Sequence, residues 1–223
     1  MDALPEADRA GISTDVDIIS LAAHQSTHSV GAVVDFVNFP IDAVLSVVVT
    51  LKNGQSVEVG TVGRESFVET DAALESSVSH RTSFCQVSGT VGRMSIASFE
   101  SRMANGDSFA RLMRRNVRAT LFSAQQFAAC NIKHSLLQRC ARWLSMTADR
   151  VGGGHFALTH DFLAIMLGVR RPTVCEAVDA LEIMGAIRYH RGAVTVLDEH
   201  LLNATACECF HACKRAFAAS LQD

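Results

Sequence analysis

The sequence predicts an α+β fold in three consecutive parts. An antiparallel β-roll of the jelly-roll type occupies residues 1–106, a long helix and hinge 107–133, and a helical domain closed by a short hairpin 134–223. Three observations lead there. Valine-rich runs separated by turn residues fill the first half, as in a sandwich or roll. The longest helical periodicity begins at Asp107. Finally, residues 1–106 carry 6 Lys/Arg against 13 Asp/Glu whereas residues 107–223 carry 14 against 10, so the two halves differ in sign.

The elements follow in order. "VVDFVNFPIDAVLSVVVTL" has the Val, Ile and Phe content of strands, with Pro40 at an edge or turn. Asn53-Gly54 is a strong hairpin signal, and "SVEVGTV" then resumes with period-two alternation. "TSFCQVSGTVGRMS" predicts a further pair of strands around Gly89, and residues 96–105 a short helix. From about 107 to 131, with Asp107 or Ser108 as cap, Arg111, Arg114, Arg115 and Arg118 share one stripe of a helix. Phe109, Met113, Thr120, Ala124 and Phe127 lie opposite, and that apolar face is the expected dimer interface. A second amphipathic helix offers Leu136, Leu137, Cys140, Leu144 and Met146 for burial and ends at Gly152–Gly154.

Composition narrows the class. With 48% hydrophobic and 19% charged residues the chain is globular. No apolar run approaches the ~20 residues of a membrane span, and the acidic start lacks a signal pattern, so a cytoplasmic protein without a membrane partner is expected. Seven scattered cysteines point to reduced thiols.

The C-terminal domain is the most informative stretch. Thr159 is a good N-cap for "HDFLAIML", which stops at Gly168; a short turn leads to a helix from about Arg171 to Met184 that buries Val174, Val178 and Leu181. This is a helix-turn-helix. Two cations at a helix start are locally unfavourable, since the first N–H groups and the dipole are already positive there. Arg170 and Arg171 make sense if that end faces a strongly negative partner, and Pro172 suits a first turn because its missing N–H costs little. The second helix of such a motif enters the DNA major groove N-terminus first, where arginine holds phosphate or forks onto guanine. After Gly185, "AIRYHRGAVTVL" predicts a wing turning at Arg191-Gly192, with Arg188, His190 and Arg191 placed to reach the backbone. The candidate DNA-binding set is Thr159, Arg170, Arg171, Pro172, Thr173, Cys175, Glu176, Arg188, His190 and Arg191.

At this point "FPIDAVLSVVVTLKNGQSVEVGTVGRES" and "LTHDFLAIMLGVRRPTVCEAVDALEIMGAIRYHRGAVTVL" resemble the Crp/Fnr transcription regulators, over nearly the whole chain. Leu158-Thr159, Leu163-Ala164, Leu167-Gly168, Arg171, Thr173-Val174, Leu181 and Gly185 carry the match. The resemblance implies a cyclic-nucleotide-binding-like roll, a homodimer on a palindromic operator, double-stranded DNA and RNA polymerase as partners, a base-reading Arg171 and a phosphate-contacting Thr173. Pro172 and Glu176 replace a Glu and an Arg of the best-known readers, which implies a different target. For an effector, the matching positions are Gly63, Glu65, Arg81 and Thr82, toward a cyclic nucleotide or another anion, but Arg64 splits the Gly-Glu pair.

Other chemistry is thinly supported. Residues 1–84 hold no cysteine, which removes an N-terminal iron–sulfur sensor. In "CECFHAC" a continuous helix would point Cys207 away from Cys209 and Cys213, so no metal set is expected there. Cys175 in the second helix is expected to be exposed, where oxidation would disturb DNA binding. The remaining alternatives are a cupin-like metal-dependent enzyme, for which His24 and His28 lack a partner set, or a scaffold protein with a helix-turn-helix that does not bind DNA.

Overall fold

The computed structural model describes residues 4–76 and 78–222. A short helix α1 (Glu6–Ser13) leads into the roll: β1 (Val16–Leu21), β2 (Ser26–His28), β3 (Phe36–Pro40), β4 (Val44–Thr50), β5 (Ser56–Val62), a 3-10 turn (Thr70–Leu74), β6 (Thr82–Val87) and β7 (Gly89–Ser95). Two antiparallel sheets form, ordered β1-β7-β3 and β2-β6-β4-β5. Pro40 ends β3, an edge strand, where its missing donor costs no ladder bond. Gly54 takes φ +83° in the β4–β5 turn, as the Asn-Gly signal requires.

The two strands around Gly89 do not pair with each other. The chain crosses there from one sheet to the other, so β6 lies on β4 while β7 lies between β1 and β3. A Cβ at Gly89 would lie 2.6 Å from the Ala43 nitrogen, and glycine allows this approach. Between the sheets lie Leu21, Leu45, Val62, Cys85 and Val91.

Helix α2 (Ile96–Asn105), capped by Ser95, and the long α3 (Ser108–Lys133), capped by Asp107 Oδ1 accepting from two backbone N–H groups, close the roll. Phe67, Phe99 and Phe109 pack there with ring centroids under 6 Å apart. Burial of each contributes about 1.5–3 kcal/mol. Then come α4 (Leu136–Val151), β8 (His155–Ala157), α5 (His160–Leu167), α6 (Arg171–Ile183), β9 (Ile187–His190), β10 (Ala193–Val196), α7 (Glu199–Thr205) and α8 (Cys209–Ser220). Ser135 and Gln138 form a full capping box on α4. Trp143, Leu144, Leu163, Val174, Val178, Leu181 and Leu202 make the C-terminal core.

Helix α4 is also the seam between the domains. Trp143 Nε1 donates to Glu58 Oε2 of β5 (2.7 Å), Gln86 Nε2 donates to Thr147 Oγ1 (3.2 Å), and Arg150 Nε donates to Glu65 Oε1 (2.8 Å). Among the described residues, no helix is long and apolar enough to cross a membrane.

Candidate nucleic-acid interface

Local rules build the C-terminal motif. Thr159 Oγ1 accepts from the Phe162 N–H (3.1 Å), which starts α5. Gly168 ends that helix at φ +65°, its N–H turned back to Ala164 and Ile165 carbonyls. Two residues later Arg170 stands at the N-cap of α6 without any side-chain cap bond, and Pro172 sits in the first turn. One face of α6 is sealed by Val174, Ala177, Val178 and Leu181, which leaves Arg170, Arg171, Pro172, Thr173 and Glu176 exposed.

Side-chain contacts join this edge to its neighbours. Arg171 Nε lies 3.3 Å from Asp161 Oδ1, an exposed pair worth at most about 1 kcal/mol and so easily exchanged. Cys175, expected to be exposed, is half-buried with its Sγ 3.3 Å from His160 Nδ1, and His160 stacks on Tyr189 of β9 at 4.1 Å. The wing is a three-stranded sheet, β8-β10-β9, whose first strand the sequence reading did not anticipate. Arg191 and Gly192 both have positive φ, +47° and +77°, as a tight two-residue hairpin turn demands. The exposed Arg188, His190 and Arg191 flank that turn, and Thr159 lies beneath it. Nine of the ten candidate positions are thus on the surface, four of them arginines. Sequence reasoning missed Asp161, His160 and Tyr189, the partners of Arg171 and Cys175; only folding brings them near.

A family model for the Crp-like helix-turn-helix domain matches residues 138–205. Solved structures match across the chain. FixK2 from Bradyrhizobium japonicum superposes with a TM-score of 0.71 at 14% identity, covering 86% of this chain and 98% of its own. A Crp/Fnr-family protein from Eubacterium rectale gives 0.70 at 14%, with 92% and 95% covered. TTHB099, a Crp-family transcriptional regulator from Thermus thermophilus, gives 0.69 at 18%, with 84% and 96% covered. The chain has the Crp/Fnr fold, and its C-terminal part is a Crp-like helix-turn-helix domain. Among curated proteins none matches it in sequence.

In this chain the four expected effector residues are not gathered in one place. A cavity of about 240 Å³ lies between the roll and α3, with Arg81, Glu69, Thr70 and Ser66 among a largely apolar lining. Of the four, Arg81 alone lines it, and its guanidinium already pairs with Asp71 at 2.8 Å. Glu65 turns the other way, accepting from both Arg150 and the Gly63 N–H. Gly63 is required there, because a Cβ would lie 2.6 Å from the Arg150 side chain. Glu69 sits at φ +69° with His28 Nδ1 at 3.1 Å. Burial raises its carboxyl pKa, but bonds from His28, Ser79 and Ser83 outweigh burial and hold it below its ordinary value. The two histidines of the cupin-like alternative separate: His28 meets Glu69, while His24 lies edge-on to Phe162.

Three residues of the expected dimer face are taken up within the chain itself. Phe109 and Met113 are buried among Phe67 and Phe99 in their own domain, and Phe127 packs on Met146, Phe210 and Cys213. Thr120 and Ala124 line the cavity. What α3 leaves exposed is Leu121, Phe122 and Ile132, in line with Arg114 and Arg118. The strongest apolar stripe is shared between the roll and the chain's own C-terminal helices.

The cysteine tail is not one helix. Residues 206–208 break it, so Cys207 precedes α8 and does not share its rotation. Burial pushes the Cys85 thiol up to about 11 and the Cys140 thiol up to about 12, which disfavours a thiolate at either.

Proposed function

We propose that the chain is a DNA-binding transcription regulator that reads a two-fold operator as a homodimer and meets RNA polymerase at promoters in the cytoplasm. It carries out no catalysis in this reading. The observation that carries it is the exposed N-terminal edge of α6, where Arg170, Arg171, Thr173 and Glu176 join the wing arginines Arg188 and Arg191. Positive charge there neutralises phosphates, and the arginine inside the first turn is placed for a base edge.

Selection of bound fragments from random duplex DNA supplies the operator for the test. Arg171→Ala should then cost ~1–3 kcal/mol on the selected sequence and relax one base pair per half-site. Arg170→Ala should weaken selected and random DNA alike and lower the salt slope by about one phosphate contact per protomer. Equal losses on every sequence would reduce Arg171 to a phosphate clamp.

The dimer is assigned to Leu121, Phe122 and Ile132, an apolar row on the wet side of α3. Leu121→Glu combined with Ile132→Glu should give monomers in sedimentation, and an unchanged dimer mass would refute this placement. The cavity behind α3 is the effector site in this reading, with Arg81 released from Asp71 to hold an anionic group on a mostly apolar ligand. Cyclic AMP and other nucleotides should be screened by thermal shift. A shift that survives Arg81→Ala would remove that arginine from the site.

A further inference from the structure

Four metal-ligating side chains from distant parts of the sequence meet where the end of α3 touches the α7–α8 turn. Cys130 lies in the last turn of α3 and His134 is its C-cap; Cys207 and Cys209 come from the turn and the start of α8. Their ligand atoms, Sγ of the cysteines and a ring nitrogen of His134, all lie within 4.8 Å of one another. Cys130 Sγ is 3.5 Å from Cys207 Sγ, and Cys209 Sγ is 3.6 Å from His134 Nδ1. A tetrahedral zinc site with ordinary bond lengths has S···S edges of about 3.8 Å and S···N edges of about 3.6 Å. Those two edges fall within about 0.3 Å of these lengths.

The surroundings match as well. His134 Nε2 lies 3.2 Å from Glu208 Oε2, which fixes the tautomer and turns the Nδ1 lone pair toward the three sulfurs. Gln126 Nε2 donates to Cys209 Sγ at 3.2 Å, a bond that favours a thiolate. Charge gives an independent reason. Arg142 is 5% exposed and makes no ion pair among the described residues; its Nε has no partner, and its guanidinium stacks 4.3 Å from the Phe127 ring centre. A buried cation that no carboxylate pairs directly is costly, and its field reaches Cys130 as well as Glu58. Three thiolates, one neutral imidazole and a divalent ion sum to −1, opposite in sign to that arginine.

We infer that Cys130, His134, Cys207 and Cys209 hold a structural zinc-class ion, a soft divalent metal in a closed Cys₃His site. On binding, three S–H protons pass to solvent as three metal–sulfur bonds form, and nothing is oxidised or reduced. With four protein ligands no position is left open for substrate, so the ion braces the structure. It fastens the end of the long helix to the C-terminal helices. The inference does not rest on the DNA-binding reading, and its readout is metal content.

The full chain, purified under reducing conditions without chelator, should carry about one zinc per chain by plasma mass spectrometry. Cys130→Ser and Cys209→Ser should each abolish it, while Cys213→Ala leaves it intact. His134→Ala should lose the metal and His134→Cys regain it, which separates ligation from misfolding. Glu208→Gln should keep the stoichiometry but bind about 10–100-fold more weakly. Cobalt(II) in place of zinc should show thiolate charge-transfer absorption that vanishes in Cys130→Ser. Wild-type protein holding less than about 0.1 equivalent after zinc supplementation would overturn the inference. So would metal content indifferent to Cys130→Ser and Cys209→Ser, or a Cys130–Cys207 disulfide in the purified protein.

Discussion

The seam along α4 and the outer edge of α6 use the same side chain for opposite ends. Arg150 is 6% exposed and spends its charge on Glu65 at 2.7 Å, joining the C-terminal domain to the roll. Arg171 is 60% exposed in its side chain and rests loosely on Asp161 at 3.3 Å. An enclosed guanidinium with a fixed carboxylate is part of the scaffold, because neither ion can return to water without breaking the packing around it. An exposed guanidinium with a weak partner is available to a ligand. Charge type says little; enclosure decides the role.

The largest effect should come from breaking that contrast directly. Arg150→Ala leaves Glu65 half-enclosed without its cation and should lower unfolding stability by ~3 kcal/mol, whereas Arg171→Ala should change it by less than about 0.5 kcal/mol. Chemical denaturation of both variants checks this. Comparable losses would show that exposure does not separate the two arginines.

A smaller effect sharpens the seam. Glu58 accepts from Trp143 and Ser46, yet burial dominates and pushes its carboxyl above its ordinary value of 4.5. The folded protein therefore holds a proton there that the unfolded chain releases first. That contribution is present in full below 4.5 and is lost as pH rises through the folded-state value. Relative to Glu58→Gln, the wild-type thermal midpoint should fall as pH rises from about 4.5 toward neutral. Parallel profiles for the two proteins would mean that Glu58 is ionised in the folded state.

Much of the fold is legible in the chain because its signals are local. Asn53-Gly54 forces a turn, Asp107, Ser135 and Thr159 cap helices, and Gly168 stops one; each acts through its own backbone within a few residues. The helix-turn-helix was readable for the same reason, and so were its exposed arginines, since the buried stripe of α6 follows from spacing alone. The partner of the apolar face of α3 was not. Periodicity shows that α3 has a face with Phe109, Met113 and Phe127, but not whether that face meets a second copy or its own roll. The exposed apolar row of Leu121 and Ile132 continues the helical series of Arg114 and Arg118.

What the sequence by itself determined is most of the elements, their order and the side of α6 that meets solvent, because capping, turn chemistry and periodicity operate at short range. What only the tertiary structure decided is which distant groups share a site. Glu65 faces Arg150 and leaves the cavity to Arg81, and Cys130 and His134 meet Cys207 and Cys209 more than seventy residues away. Those pairings depend on how α4 docks on β5 and how the α7–α8 turn folds back on α3. Packing sets both, and no spacing in the chain encodes either.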